Sequence, residues 1–202
     1  MQTASSPTSP DTPELLASPT SEPISTARIA ICICTCKRPV LLARALAAVA
    51  QIDLAGLDPA RMVLIVVDNR PDGRAQAVCE TMQARLPLRL TFTTEARRGI
   101  SFARNRAAEV ARAEQADFVA FIDDDDLPRP DWLQRLMRRQ HETGADLVFG
   151  FWRLPSDMSL PCWLRDSRYF KPPRPHDRNR FGLPAWAGTF NVLLSRRVLE
   201  LP

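Results

Sequence analysis

Four consecutive aspartates, Asp123 to Asp126, follow directly on the apolar run FVAFI (Phe118 to Ile122). Adjacent carboxylates repel one another unless water or a cation screens them, and a buried strand leading into them fixes where they stand. In extended backbone Asp123 and Asp125 point to the same side, so both can approach one ion. Magnesium and manganese take oxygen ligands, often one or two carboxylates completed by substrate phosphates. A solvated turn capping the next helix, or a weak calcium site, is the plainer reading of the same four residues, because D-x-D is a short pattern.

The elements that must hold this cluster are legible in the hydrophobic periodicity. RIAICICT is a short β-branched run, and KRPVLLARALAAVAQ carries Leu42, Leu46 and Val49 at helical spacing. VLIVV (Val63 to Val67) is a second buried strand ending at Asp68, followed by a turn through Asn69, Pro71, Asp72 and Gly73 and a helix to about Arg85. Leu88 to Thr93 reads as a third strand. Ser101 is the predicted N-cap of a helix turning Ala103, Ala107 and Val110 inward, and Phe118 to Ile122 is the fourth strand. Pro130 is placed in the first turn of a helix whose apolar face is Trp132, Leu133, Leu136 and Met137, with Asp131 near its positive end. Asp146 to Phe151 is a fifth strand, residues 153–184 are loop-like and rich in Pro and Arg, and TFNVLLS is a last strand. Strands alternating with helices predict an α/β fold, a doubly wound and mostly parallel sheet. In such sheets ligands sit outside the carboxyl ends of the strands, and Thr35, Asp68 and Asp123 to Asp126 are the residues found there.

This order of motifs resembles family 2 glycosyltransferases. ICICTCKRPVLL is similar to their opening strand and turn, VVDNRPDG to the second strand, RRGISFARNRAAEVA to the segment before the metal motif, FVAFIDDDDLPRPDWLQRL to the D-x-D segment, and GTFNVLLSRRVL to the acceptor-side strand. The resemblance spans roughly residues 28 to 201. It implies a GT-A fold, a nucleotide-diphosphate sugar donor, Mn2+ or Mg2+, and inverting transfer to the hydroxyl of a glycan or lipid-linked acceptor in cell-envelope polysaccharide synthesis. It makes Asp125 the principal metal ligand, with Asp123 on the ribose or the metal and Asp68 on the nucleotide base. Thr35, Arg38, Gly99, Arg104 and Asn105 become further donor-site candidates. The family's catalytic base lies in a Glu-Asp motif shortly after the last strand; no Glu-Asp pair occurs in this sequence, and Glu200 falls too early to match it. The base is therefore expected beyond Pro202, the last residue. The expectation is a chain truncated before that base, with a catalytically silent donor-binding protein as the alternative.

Bulk properties are consistent with one globular domain over residues 28–202: 45% hydrophobic and 25% charged residues in 202. Residues 1–27, with 6 Ser, 5 Thr and 5 Pro, read as a disordered leader. The net charge of +4 is spread along helical patterns rather than gathered in a basic tract, so nucleic acid is not an expected partner. No P-loop accompanies the acidic run, which disfavours phosphoryl or nucleotidyl transfer. No apolar run reaches the roughly 20 residues of a membrane span, which leaves a soluble protein or one peripheral to the membrane. Five cysteines, an odd number, fit a reducing cytoplasm better than a disulfide framework. Cys32, Cys34 and Cys36 alternate along one strand and share a face; they read as small buried hydrophobes rather than a zinc site. His141 and His176 read as surface residues. Trp163, Tyr169 and Trp186 belong to a loop region that, by the resemblance, lies over the acceptor site, where core packing weighs equally with stacking on a sugar or resting at a membrane interface; Arg174, Arg178 and Arg180 offer bidentate contacts to phosphates, with a solvated basic loop the favoured reading.

Overall fold

The computed structural model describes residues 26–70, 72–151, 161, 163 and 188–200. The leader lies outside them but for its last two residues. So do Tyr169, Trp186, His176, Arg174, Arg178, Arg180 and, at the chain's end, Leu201 and Pro202.

Seven residues, Ile29–Thr35, form β1, and all seven are buried. Pro39–Val49 follow as α1, with Pro39 in the first turn, where its missing N–H costs nothing. Met62–Asp68 is β2, also buried throughout, and Arg74–Gln83 is α2. Arg89–Thr94 is β3, Ile100–Ala113 is α3 and Phe118–Asp123 is β4. Trp132–Thr143 is α4, Leu147–Phe149 is β5, Asn191–Ser195 is β6 and Arg196–Leu199 is a short α5. The six strands stand in the order β3-β2-β1-β4-β6-β5. β1 to β4 are parallel, while β6 runs antiparallel to both neighbours, β4 and β5.

Alternation along the strands feeds two cores. Ile29, Ile31 and Ile33 join Met62, Leu64, Val66, Ala120 and Ile122 on the face covered by α1, α2 and α4. Ala30, Cys32 and Cys34 join Val63, Ile65, Val67, Val119 and Phe121 on the face covered by α3. Ala103, Ala107 and Ala111 recur every fourth residue along α3, and these small side chains let it lie close against β1 and β2. The buried face of α4 is Trp132, Leu133, Leu136, Met137 and Gln140; the helix stops at Gly144, whose left-handed backbone (φ 62°) lets its N–H return to the Gln140 carbonyl at 2.7 Å.

Five expectations need correction. Ser101 is not the N-cap of α3: the Gly99 carbonyl accepts from the N–H groups of Phe102 and Ala103, so the helix begins two residues earlier. The third inward position of α3 is Ala111, and Val110 is only half-buried. Pro130 precedes α4 rather than lying in its first turn, because residues 130 and 131 form a turn and the helix starts at Trp132. β5 is shorter than the expected 146–151 because, among the described residues, it is an edge strand paired with β6 alone. Cys32 and Cys34 are buried as expected, with burial pushing the Cys34 thiol up to about 12, but Cys36 lies beyond the strand and is exposed.

Candidate functional site

The parallel register brings the candidates to one edge. Thr35 is paired with Asp68, Asp68 with Thr94, and Cys34 with Asp123, so β1, β2, β3 and β4 end level with one another. Asp68 is 1% exposed; its carboxylate accepts the Arg70 N–H at 3.0 Å, and burial raises its pKa more than that bond lowers it.

The acidic run does not continue as a strand. β4 ends at Asp123 and a turn begins at Asp124, so the predicted alternation of Asp123 and Asp125 is lost. The four carboxylates take separate environments instead. Asp123 is met by the Arg104 guanidinium at 3.0 Å; burial raises its pKa, Arg104 opposes this, and Asp125 and Asp124 add to the rise. Asp124 is buried, accepting the Thr35 hydroxyl at 2.6 Å and Arg38 Nη1 at 3.2 Å. Asp125, half-exposed, shares that same nitrogen at 3.1 Å. Asp126 folds back to accept the Asp123 N–H at 3.2 Å, and burial pushes its carboxyl up to about 6.

Of the predicted residues, Thr35, Arg38 and Asp125 are thus joined through Asp124, and Arg104 and Asp123 form a second, adjacent pair, both beside Asp68. Thr35 acts within the first group by holding Asp124, its hydroxyl being buried. Gly99 caps α3, the helix that carries Arg104. Asn105 is exposed on α3, and its side chain has no hydrogen bond among the described residues. Four residues at this edge escaped the sequence reading. Asp124 stood in the same run but was not singled out. Asn69 and the Glu95–Arg97 pair carried no signal beyond their position after strands. The expected position of the catalytic base, beyond Pro202, lies outside the described residues, which end at Glu200. Glu200 itself stands just past α5, where its carboxylate accepts the Arg196 guanidinium at 2.9 Å rather than joining the acidic edge.

Asn191, the first residue of β6, anchors the other end of this edge. Its side-chain carbonyl accepts the Trp132 indole N–H at 2.9 Å and its amide donates to the Phe151 carbonyl at 3.3 Å. A cavity of about 410 Å³ opens at the opposite end of the sheet, between Arg28, Asp58, Arg61, Arg89 and Glu114. It touches none of the acidic run and reflects the grooves at the strands' amino ends.

The donor set at the acidic edge is all oxygen, which suits a hard cation such as Mg2+ or Mn2+. Among the described residues no three His, Cys, Asp or Glu side chains converge into a preformed cage. One or two carboxylates plus ligands from a bound phosphate group are what this geometry can offer a metal.

A family model described as "Glycosyl transferase family 2" matches residues 30–200. The chain belongs to glycosyl transferase family 2. It is 31% identical over 186 residues to the succinoglycan biosynthesis protein ExoM of Rhizobium meliloti (strain 1021), covering 89% of this chain and 55% of that protein. The family 2 chain therefore spans about half the length of the curated relative it matches. Among solved structures it is similar to the mannosyltransferase PcManGT from Pyrobaculum calidifontis in complex with GDP-Man and Mn2+, with TM-score 0.55 and 23% identity over 65% of this chain and 37% of that one. It is also similar to S. aureus TarS 1-349 in complex with UDP-GlcNAc, with TM-score 0.51 and 21% identity over 66% and 37%. These likenesses establish the GT-A fold of the family 2 chain. Among the described residues no helix is long and apolar enough to cross a membrane.

Proposed function

We propose that residues 28–202 form the donor-binding domain of a glycosyltransferase that takes a nucleotide-diphosphate sugar together with Mn2+ or Mg2+ and, as part of a longer protein whose catalytic base follows Pro202, transfers the sugar with inversion to an acceptor hydroxyl. The observation that carries this reading is the gathering of two arginine–aspartate groups, Thr35–Asp124–Arg38–Asp125 and Arg104–Asp123, at the carboxyl edge of a family 2 fold, level with the buried Asp68. Asp68 presents an acceptor to a nucleobase N–H, and Asp125, the more exposed of the two candidate ligands, offers its carboxylate to the metal, with Asp123 on the metal or the ribose. A bound divalent cation would neutralise charge growing on the diphosphate as its bond to the anomeric carbon breaks. In this reading the Arg38 and Arg104 guanidinium groups turn from the aspartates to phosphate oxygens, with Gly99 at the start of α3 and Asn105 on that helix as further donor contacts.

The description of ExoM as a succinoglycan biosynthesis protein supports a growing polysaccharide as the acceptor, with the protein working in the cytoplasm or against the inner face of the membrane. The GDP-Man, UDP-GlcNAc and Mn2+ bound by the two solved relatives support the donor class and the metal. The test is calorimetric titration of UDP and GDP into the protein with manganese present. Asp125→Ala is expected to abolish the metal-dependent part of binding and Asp68→Ala to weaken binding of the preferred nucleotide, with circular dichroism unchanged in both. Binding that is indifferent to manganese and to Asp125→Ala would overturn the assignment.

A further inference from the structure

Asn69, 8% exposed, uses every hydrogen-bonding group of its side chain on the segment between β3 and α3. Its amide donates to the Glu95 carbonyl at 3.1 Å and to the Arg97 carbonyl at 2.6 Å, and its carbonyl accepts the Gly99 N–H at 2.9 Å. Its own backbone N–H donates to the Thr35 carbonyl at 2.9 Å. One residue thus ties the ends of β1 and β2 to residues 95–99, which have no helix or strand ladder of their own. The Glu95–Arg97 ion pair also orders this segment, but both partners lie inside it and cannot register it against the sheet. On either side of the clamp stand the groups that matter. Asp68 precedes Asn69, and the Asp68 carbonyl accepts the Glu95 N–H at 3.0 Å; Gly99 opens α3, whose Arg104 reaches Asp123.

We infer that Asn69 is a positioning residue for the nucleotide site: it sets the distance between Asp68 on β2 and Arg104 on α3 by fixing residues 95–99 between them. The inference rests on the donor-site reading above. Removing the side chain leaves two carbonyls and the Gly99 N–H without their partner, and the segment then loses its register even though the sheet persists.

The experiment compares Asn69→Ala and Asn69→Asp with the unaltered protein by hydrogen exchange at the Gly99 amide and by titration of UDP and GDP with manganese. Asn69→Ala is expected to speed exchange at Gly99 and to weaken nucleotide binding roughly tenfold, the scale for a lost buried partner. Asn69→Asp keeps an acceptor for Gly99 but sets carboxylate oxygens against the two carbonyls. Protonation restores one donor, so its affinity relative to the unaltered protein should recover as pH falls, a signature that a loss of general stability does not give. If Asn69→Ala does not fold, Asn69→Asp carries the affinity and pH readouts. Unchanged exchange at Gly99 in Asn69→Ala, or unweakened affinity in either variant, would overturn the inference. Failure of the unaltered protein to bind either nucleotide would instead sink the donor reading, while exchange at Gly99 would still report on the clamp.

Discussion

The Thr35 hydroxyl and Asp124 carboxylate form a buried pair 2.6 Å apart, with Arg38 as the only other described partner of that carboxylate. Thr35→Val keeps the shape and removes the donor, and is expected to destabilise the fold by about 1–3 kcal/mol in denaturant unfolding, the cost of stranding a buried acceptor. Asp126 behaves differently. Its folded carboxyl titrates near 6 against an ordinary 3.8, so the folded state holds the proton more tightly than the unfolded one. Stability attributable to Asp126 is full below 3.8 and falls as pH rises to about 6. Asp126→Asn retains an acceptor for the Asp123 N–H; with metal and nucleotide absent, its melting temperature should gain on the unaltered protein across that window and hold the gain above it. Glu95 has the opposite sign. Its hydrogen bonds to Arg97 hold it down to about 2, so its contribution is present above 4.5 and fades as pH falls toward 2. Glu95→Gln should therefore differ most from the unaltered protein at neutral pH in the same melting series.

At the scale of elements, two glycines set the joints of the site. Gly99 enters α3 with φ 137°, a backbone that side chains rarely adopt, and a Cβ there would stand 3.4 Å from Phe102. Gly99→Ala is expected to cost about 1–3 kcal/mol in denaturant unfolding, through strain at the helix start. At Gly150 the obstacle is contact, since an added Cβ would fall 2.1 Å from the Asn191 side chain. The strands, α1, α4 and the carboxyl-edge placement of Thr35, Asp68 and Asp123 were legible in advance, from apolar periodicity and from where polar residues first interrupt it. The start of α3 was not, because Ser101 is a good cap by type, whereas a glycine with the right backbone needs no side chain. The division of labour among the four aspartates was illegible for a related reason: it depends on a turn at Asp124 and on two arginines, Arg38 and Arg104, from distant segments. The side chain of Asn69 bonds only to main-chain groups 26 to 30 positions away, which no local pattern encodes.

For the whole molecule, stability concentrates at the centre of the sheet. β1 is flanked by β2 and β4 and buried on both faces, while β3 at one edge is half-exposed and β5 at the other has three residues. Amide hydrogen exchange should be slowest in Ile31 to Cys34, opening only with global unfolding, and faster in β3 and β5. The reversed β6 has a consequence for where any group that follows it in the chain starts from. Asn191 faces Ile122 and Ser195 faces Phe118, so the chain enters β6 beside the aspartates and leaves it at the far end of the sheet. A group downstream of α5 begins its path about 17 Å from the acidic edge, five residues of strand rise away. To work there it must climb back the height of the domain, which takes about 11 residues as a helix or about 5 fully extended.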